Sequence, residues 1–150
     1  MSTASDSQVP FRILPALVEQ NRHFWQGGEH GELRFLRCLD CGTIIHPPLP
    51  LCPQDHSKRL APAAVSGRAT VASFTVNHQA WMPGPALPYV VAIVEIEEDP
   101  RVRLTTNIVN CAPGDVRIGM PVRVVFEHHP DPAGDVWIPL FEPDRARRVA

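Results

Sequence analysis

Hydrophobic and polar positions alternate along most of the chain beyond residue 65, in the period of two that is typical of strands. Five such segments follow one another with turn residues between them, at residues 65–78, 89–97, 101–109, 122–126 and 135–143. A turn or short helical bend is predicted between the third and fourth segments. The pattern predicts a mainly β fold ending in a five-stranded closed barrel of the OB type, with a sandwich as the alternative.

The first third of the chain has a different pattern. Residues 1–10 predict a flexible leader, and apolar side chains then recur at roughly helical spacing. One or two short amphipathic helices are therefore expected, stopping at Gly27 and Gly28, with an apolar face made of Leu14, Leu17, Val18, Phe24 and Trp25. The segment ELRFLRC predicts a strand. We divide the chain into a leader with N-terminal helices, a zinc-ribbon-like segment, and an OB-fold domain with a C-terminal tail, at residues 1–32, 33–62 and 63–150.

Residues 38–57, with the sequence CLDCGTIIHPPLPLCPQDHS, place three cysteines at the spacing of a zinc ribbon. Structural zinc takes four ligands in a tetrahedron, usually from two short turns called knuckles. Cys38 and Cys41, followed by a glycine, form a complete knuckle. Cys52 begins a second knuckle, and the residue three positions further on is Asp55, whose carboxylate is an accepted zinc ligand.

The spacing leaves three choices for the fourth ligand. Asp55 holds the expected position, His56 could replace it if the turn shifts by one residue, and His46 lies in the spacer. A loop without metal, held by its prolines, is the alternative to all three. A catalytic zinc is disfavoured, because no nearby residue is placed as a general base beside an open coordination position.

Composition narrows the possible functions. The chain has 150 residues, a formal net charge of -2 and 20% charged residues, a balance that disfavours binding to nucleic acid or to an anionic membrane. No apolar run approaches the roughly 20 residues of a membrane span, and the N-terminus lacks the pattern of a signal peptide. Clustered cysteines favour metal over disulfide in a reducing compartment. We expect a cytoplasmic protein.

The sequence contains no nucleophile elbow of the Gly-x-Ser-x-Gly type, no phosphate-binding glycine loop and no His-Glu-x-x-His motif. The loop after the first barrel strand instead combines prolines with Trp81 and Met82, between His78 and Tyr89. These groups could contact a ligand or a partner, or could equally cap the barrel. Solvated positions are expected for the Glu-His-His sequence at 127–129. Five arginines, at positions 68, 101, 103, 117 and 123, could bind phosphate groups of a ligand, but ordinary solvated positions are expected for them. Cys111 is expected to be a small residue at a strand end.

These motifs occur together, in the same order, in a known family. The set comprises Phe-Trp-x-Gly at a helix end, Cys-x-x-Cys-Gly, Pro-Pro-x-x-x-Cys-Pro, and the strand sequences SGRATVASFTVNH, PYVVAIVEIEE, LTTNIVN and DVRIGMPVRVVFE. Over residues 20–142 the chain resembles the acyl-CoA-associated family with a rubredoxin-like zinc ribbon and an OB-fold, catalogued as domain of unknown function thirty-five. The ribbon of that family normally ends its second knuckle in cysteine, at the position of Asp55 here.

The resemblance implies a non-catalytic companion of thiolase-fold enzymes, which make or break C–C bonds in acyl-CoA thioesters. Zinc would be structural, and a CoA thioester would be a ligand of the complex. Candidate contacts to ligand or partner are Phe24, Trp25, His78, Trp81 and Tyr89. Two alternatives stay open, a single-stranded nucleic-acid-binding OB-fold protein and a stand-alone acyl-CoA-binding protein or enzyme. A single lysine, Lys58, and 7% aromatic residues argue against the first. The lack of an identifiable base and nucleophile argues against an enzyme.

Overall fold

The barrel strands form where the sequence alternates. The computed structural model describes residues 9–147, so most of the predicted leader and the end of the C-terminal tail lie outside the described residues. Within that range a short helix precedes eight strands: α1 (Arg22–Gln26), β1 (Leu33–Cys38), β2 (Ile44–Ile45), β3 (Leu60–Val65), β4 (Arg68–Asn77), β5 (Tyr89–Ile96), β6 (Arg103–Ile108), β7 (Pro121–His129) and β8 (Val136–Pro143). Two 3-10 turns occupy Gly27–His30 and Pro113–Asp115. No helix in this range is long and apolar enough to cross a bilayer.

Five strands close into a barrel in the order β4-β5-β6-β8-β7, which confirms the predicted OB-fold. Every neighbouring pair is antiparallel except β6 and β8, which meet in parallel through Ile108 and Phe141. A buried bond from the Thr106 hydroxyl to the Pro139 carbonyl, 3.0 Å long, also joins these two strands. The barrel is filled by the inward side of the alternation, as in β5, where Val90, Ala92, Val94 and Ile96 are buried.

A separate three-stranded sheet, in the order β2-β1-β3, carries the cysteine segment. Its outer strand β3 pairs along the whole length of β1 but was not among the predicted strands. The sequence of β3, LAPAAV, lacks the β-branched and aromatic residues that mark strands, and Pro62 removes one backbone donor. Proline is tolerated here because β3 lies at the edge of the sheet.

The N-terminal helix is shorter than predicted. Only Arg22–Gln26 is α-helical, and a 3-10 turn continues it through the glycines that were expected to stop it. The prediction of helix over residues 14–18 was wrong. Pro15 lacks a backbone donor and disfavours helix at the residue before it. The Asn21 side chain then accepts from the Val18 amide at 2.9 Å and donates to the Ala16 carbonyl at 3.0 Å, so it offers this backbone a turn instead of a helix.

Strand β7 extends further than its sequence pattern predicted. The expected strand ended at Phe126, and the Glu-His-His sequence beyond it was expected to be solvated. Glu127 and His129 are instead largely buried and paired at 2.7 Å. His128 fits the expectation better, since its side chain is about half exposed, although it stacks on Trp137 across the hairpin at 4.5 Å between ring centroids. Cross-strand pairing with β8 therefore outweighs the polar character of this segment.

The ribbon, the helix and the barrel meet in a cluster of rings. Phe24 of α1 is only 6% exposed and lies between Phe35 of β1 and His46, with ring centroids 5.9 and 4.8 Å away. Phe35 and His46 are themselves 5.0 Å apart. Burial, with a smaller contribution from nearby His23, lowers the pKa of His46 to about 4. His46 is therefore neutral in the folded protein at physiological pH.

The neutral state of His46 predicts a pH-dependent stability. Below its ordinary pKa of about 6.5 the unfolded chain binds a proton that the folded chain does not. The contribution of His46 to the free energy of unfolding is therefore expected to be constant above about pH 6.5 and to fall by about 1–2 kcal/mol towards pH 4.5, allowing for partial exposure of the ring. Urea unfolding between pH 4.5 and 7.5, at fixed zinc, measures this slope.

The variant His46→Phe keeps a ring in the cluster but cannot titrate, so its slope should be smaller. The remaining slope includes His23, whose pKa is also lowered by burial. The control His30→Gln changes an exposed histidine and should leave the slope as in the wild type. An unchanged slope in His46→Phe would contradict the assignment.

Gly28 sets the distance between the 3-10 turn and the barrel. A Cβ atom at this position would overlap the Cβ atom of Trp137 and lie 2.7 Å from Cδ1 of Phe126. We expect Gly28→Ala to lower the free energy of unfolding by about 1–3 kcal/mol, because the turn must move away from β7 and β8. Gly114→Ala is the matched control, since nothing lies within 4 Å of that position. Equal midpoints of urea unfolding for the two variants would contradict this contact.

Candidate functional site

The two knuckles of the ribbon have the same backbone geometry. In the first, the amide of Cys38 donates to the carbonyl of Thr43, and the amide of Gly42 donates back to the carbonyl of Cys38, both at 2.9 Å. In the second, the amide of Cys52 donates to Ser57 and that of His56 donates back to Cys52, again at 2.9 Å. Each knuckle is thus a six-residue turn closed by the same pair of hydrogen bonds.

This correspondence assigns a role to each position. Gly42 and His56 occupy equivalent places, and both adopt the left-handed backbone conformation, with φ of 77° and 57°. The residue before each of them points into the space between the turns, so Asp55 is the counterpart of Cys41. His56 therefore takes the place of the turn-closing glycine and not of a ligand.

Four candidate ligand atoms come together between the knuckles. They belong to Cys38, Cys41, Cys52 and Asp55, and all lie within 4.8 Å of one another. The Sγ atoms of Cys41 and Cys52 are 3.5 Å apart, and both carboxylate oxygens of Asp55 lie 3.6 Å from Sγ of Cys38. A tetrahedron with Zn–S bonds of about 2.3 Å has edges of about 3.8 Å, so these residues fit a zinc ion.

Hydrogen bonds orient the ligand atoms. The Thr43 hydroxyl lies 3.0 Å from Sγ of Cys41 and lowers the pKa of that thiol. The amide of Ser57 donates to Oδ1 of Asp55 at 3.0 Å and lowers the pKa of that carboxyl group. The amide of Gln54 reaches Sγ of Cys52 at 3.4 Å, although burial raises the pKa of this thiol. Supporting bonds of this kind hold metal ligands in a fixed direction.

Asp40 joins the two knuckles at the surface. Its carboxylate pairs with the guanidinium of Arg59 at 2.6 Å and accepts from the Ser57 hydroxyl. Arg59 is largely exposed, so this pair adds little stability in water. The bond from Ser57 to Asp40 instead helps to fix the position of Ser57, whose amide orients the carboxylate of Asp55.

His46 is not part of this group of ligand atoms. It packs against Phe24 and Phe35 on the barrel side of the ribbon. There His46 lines a cavity of about 500 Å³ between α1, the ribbon loop that contains Pro47 and Pro48, β6 and β8. Phe24 and Trp25, two of the predicted contact residues, line the same cavity, but Phe24 is largely in the hydrophobic core.

The other three predicted contact residues lie near one end of the barrel. His78 is exposed just after β4, and Tyr89 is half-buried at the start of β5. Trp81 is 75% exposed, and its indole Nε1 donates to Oδ1 of Asn77 at 3.3 Å. The residues that complete this end of the barrel, notably Arg12, were not predicted, because the contacts they make are distant in sequence.

The five arginines are exposed as predicted. Arg68, Arg101, Arg103 and Arg123 each pair with a carboxylate, and Arg117 donates to the backbone carbonyls of Gly114 and Val116. Cys111 is half-buried and packs against the core, and burial raises the pKa of its thiol. These groups do not converge on one anion-binding site within the described residues.

Comparison with known proteins agrees with this architecture. Residues 25–61 match the family model described as "ChsH2, rubredoxin-like zinc ribbon domain", and residues 63–127 match "ChsH2, C-terminal OB-fold domain". A solved structure described as "Ltp2-ChsH2(DUF35) aldolase" superimposes with a TM-score of 0.75 at 35% identity, over 87% of this chain and 98% of that chain.

Two curated relatives differ in length. The chain is 39% identical over 138 residues to the "3-oxo-4,17-pregnadiene-20-carboxyl-CoA hydratase alpha subunit" of Mycobacterium tuberculosis, a match that covers 92% of this chain and 43% of that subunit. It is 40% identical over 93 residues to a "DUF35 domain-containing scaffold protein" of Methanocaldococcus jannaschii, covering 61% of this chain and 64% of that protein. The chain thus spans less than half of the hydratase subunit and about two thirds of the scaffold protein. With both family domains in order along one chain, the protein belongs to the DUF35 family, in which a ChsH2-type zinc ribbon precedes an OB-fold.

Proposed function

We propose that the chain is a non-catalytic accessory subunit that binds a thiolase-fold enzyme and supports its reaction on acyl-CoA thioesters. The observation that carries this proposal is the match over nearly the whole chain to the DUF35 component of an aldolase structure. The name of the archaeal relative, a scaffold protein, supports a role in assembly. The thiolase-fold identity of the partner rests on the family resemblance.

The chemistry of the chain agrees with an accessory role. Cys111 has a thiol with a raised pKa, which disfavours the thiolate that a nucleophile needs. His78 is exposed after β4, and no partner that would orient it as a base is found among the described residues. The nucleophile and base of the reaction would therefore belong to the partner enzyme.

In this role the ribbon would hold a structural zinc ion. Cys38, Cys41, Cys52 and Asp55 would form a closed site with no position left for substrate, and bound zinc would join the two knuckles. The ribbon at residues 33–62 and the barrel at 63–150 would then be two parts of one scaffold. One of the three ribbon strands, β2, has only two residues, so such a joint would stabilise the ribbon.

A second candidate is an accessory role in an acyl-CoA hydratase, because one similar protein is named as a hydratase alpha subunit. The larger part of that subunit lies outside the region that matches this chain. The partner enzyme recovered with the chain distinguishes the two candidates, since a thiolase-fold enzyme supports the first and a hydratase supports the second.

The fourth zinc ligand can be tested by substitution. We expect Asp55→Ala to weaken zinc binding on the order of a hundredfold, because one ligand of four supplies roughly a quarter of a binding free energy of 10–16 kcal/mol. Asp55→Cys should retain tight binding. His56→Asn is the control, since asparagine tolerates the left-handed backbone at this position. Competition with a chromophoric chelator measures the affinities, and the spectrum of the Co²⁺ form reports the ligand set.

Loss of zinc in His56→Asn together with full binding in Asp55→Ala would transfer the ligand role to His56. Wild-type protein that binds no zinc under these conditions would contradict the structural site altogether.

The accessory role predicts a complex of fixed composition. Tagged chain purified from its own source cells should carry an enzyme subunit in a fixed ratio, seen by native mass spectrometry and identified by peptide sequence. Denaturing spectra of the same sample should show the chain and the companion as separate masses, and the chain should lack the mass increment of one zinc ion. A chain recovered only alone, or with nucleic acid, would contradict the proposal.

A further inference from the structure

The N-terminal segment is fixed onto the barrel by one arginine. We call residues 9–13 the strap. Arg12 donates from Nε and Nη2 to the two carboxylate oxygens of Glu127, at 2.7 and 3.2 Å, and from Nη1 to Oδ1 of Asn107 at 2.9 Å. The side chains of Arg12 and Glu127 are 18% and 14% exposed. Bidentate pairs of this kind have a defined geometry and are among the stronger ion pairs.

The two residues that accept hydrogen bonds from Arg12 also make hydrogen bonds to other parts of the barrel. Asn107 points outward from β6 and donates from Nδ2 to the carbonyl of Val90 in β5 at 2.8 Å. Glu127 of β7 also bonds His129. The strap is thus attached to β5, β6 and β7 together, and its position depends on the closed barrel.

Above this ion pair the surface is apolar. Phe11 and Ile13 of the strap are 58% and 73% exposed, and Trp81, Met82 and Leu87 of the loop between β4 and β5 are also exposed. A cavity of about 310 Å³ lies between strap and loop and is lined by Phe11, Ile13, Met82 and Tyr89, among others. We call Phe11, Ile13, Trp81, Met82 and Leu87 the strap–loop surface. Several exposed apolar side chains around one cavity are characteristic of interaction sites.

The position of this surface on the barrel is informative. OB-folds bind ligands on the outer face of their second and third strands, between the first loop and the last. Here those strands are β5 and β6, and the strap lies across one end of this face. Among the described residues that line the two cavities beside the strap, Arg12 and Glu127 are the only charged ones, and they neutralise each other. A polyanion would find no available cation there.

We infer that the strap–loop surface is the contact area for the partner enzyme, and that it receives an uncharged, apolar surface of that subunit. This inference rests on the proposed accessory function. Interface cores contain few unpaired charges and many aromatic and methionine side chains, as this surface does. Among the described residues, the arginine beside the apolar groups, Arg12, is already paired with Glu127, which disfavours an anionic lipid surface. The same fold also occurs in a structure described as an aldolase with a second component.

The experiment uses the zinc-loaded chain and the enzyme subunit that co-purifies with it, after that subunit has been identified and produced separately. Two variants remove apolar area without burying polar groups, Ile13→Ser and Trp81→Ser. Ile118→Ser is the matched control, because Ile118 is 71% exposed and lies near the opposite end of β4, beside Gly119, whose amide bonds the carbonyl of Val71. Calorimetric titration gives the Kd of each variant, and equal thermal midpoints verify that each is folded.

We expect Ile13→Ser and Trp81→Ser each to raise the Kd about tenfold or more, the size of effect that central interface residues show. Ile118→Ser should change the Kd less than about twofold. Arg12→Ala tests the attachment separately, because it leaves the apolar side chains in place but frees the strap. It should also raise the Kd, and hydrogen exchange should be faster over residues 9–13 in the free variant.

Three results would overturn the inference. Wild-type affinity in both apolar variants would place the contact elsewhere and leave the accessory function intact. Failure of the wild-type chain to bind the enzyme subunit at all would remove the accessory function together with the inference. A wild-type chain that dimerises alone, and becomes monomeric in Trp81→Ser, would assign the surface to a second copy.

Discussion

The packing of Phe24 against Phe35 and His46 holds the three parts of the molecule together. A five-residue helix is too short to be stable on its own, and a sheet with a two-residue strand is little better. Both gain stability by burying their rings against the barrel core. The ribbon and the helix are therefore positioned by packing on the barrel core, and the neutral state of His46 is a consequence of the same burial.

The ribbon and the barrel use different physical means to define their shape. The barrel is defined by alternating buried and exposed side chains and by strands that pair in a closed ring. Its folding therefore does not require a bound ligand. The ribbon relies on two equivalent turns that aim four ligand atoms at one point. That equivalence explains how Asp55 can occupy the position that corresponds to Cys41 in the first knuckle. The turn needs a ligand at its fourth position and a left-handed residue at its fifth, and Asp55 and His56 meet these two requirements.

The sequence predicted those features of the structure that depend on residues close together in the chain. The barrel strands follow from alternation, and the ligand group follows from the spacing of Cys38, Cys41 and Cys52. Features that depend on distant contacts were not predictable. Strand β3 exists because β1 offers it a partner, and Glu127 is buried because Arg12, 115 residues away in sequence, covers it. Residues 14–18 have helical spacing, but Pro15 and the Asn21 side chain favour a turn.

The strap changes which chemical groups are exposed on the outer face of the OB-fold. Where such a face in other proteins carries cations and aromatic platforms for nucleic acid, here it carries a neutralised ion pair beneath apolar side chains. A ribbon whose four candidate ligand atoms fit a zinc ion, and a barrel face whose ion pair lies beneath apolar side chains, are both consistent with the proposed subunit that positions another protein.

In the proposed role, this chain positions the partner enzyme, and the partner enzyme supplies the chemistry. The most direct measurement is turnover of acyl-CoA thioesters by the purified, zinc-loaded chain, first alone and then with the enzyme subunit that accompanies it. We expect no turnover by the chain alone and full activity only when both subunits are present. Sustained turnover by the chain without any partner would contradict it.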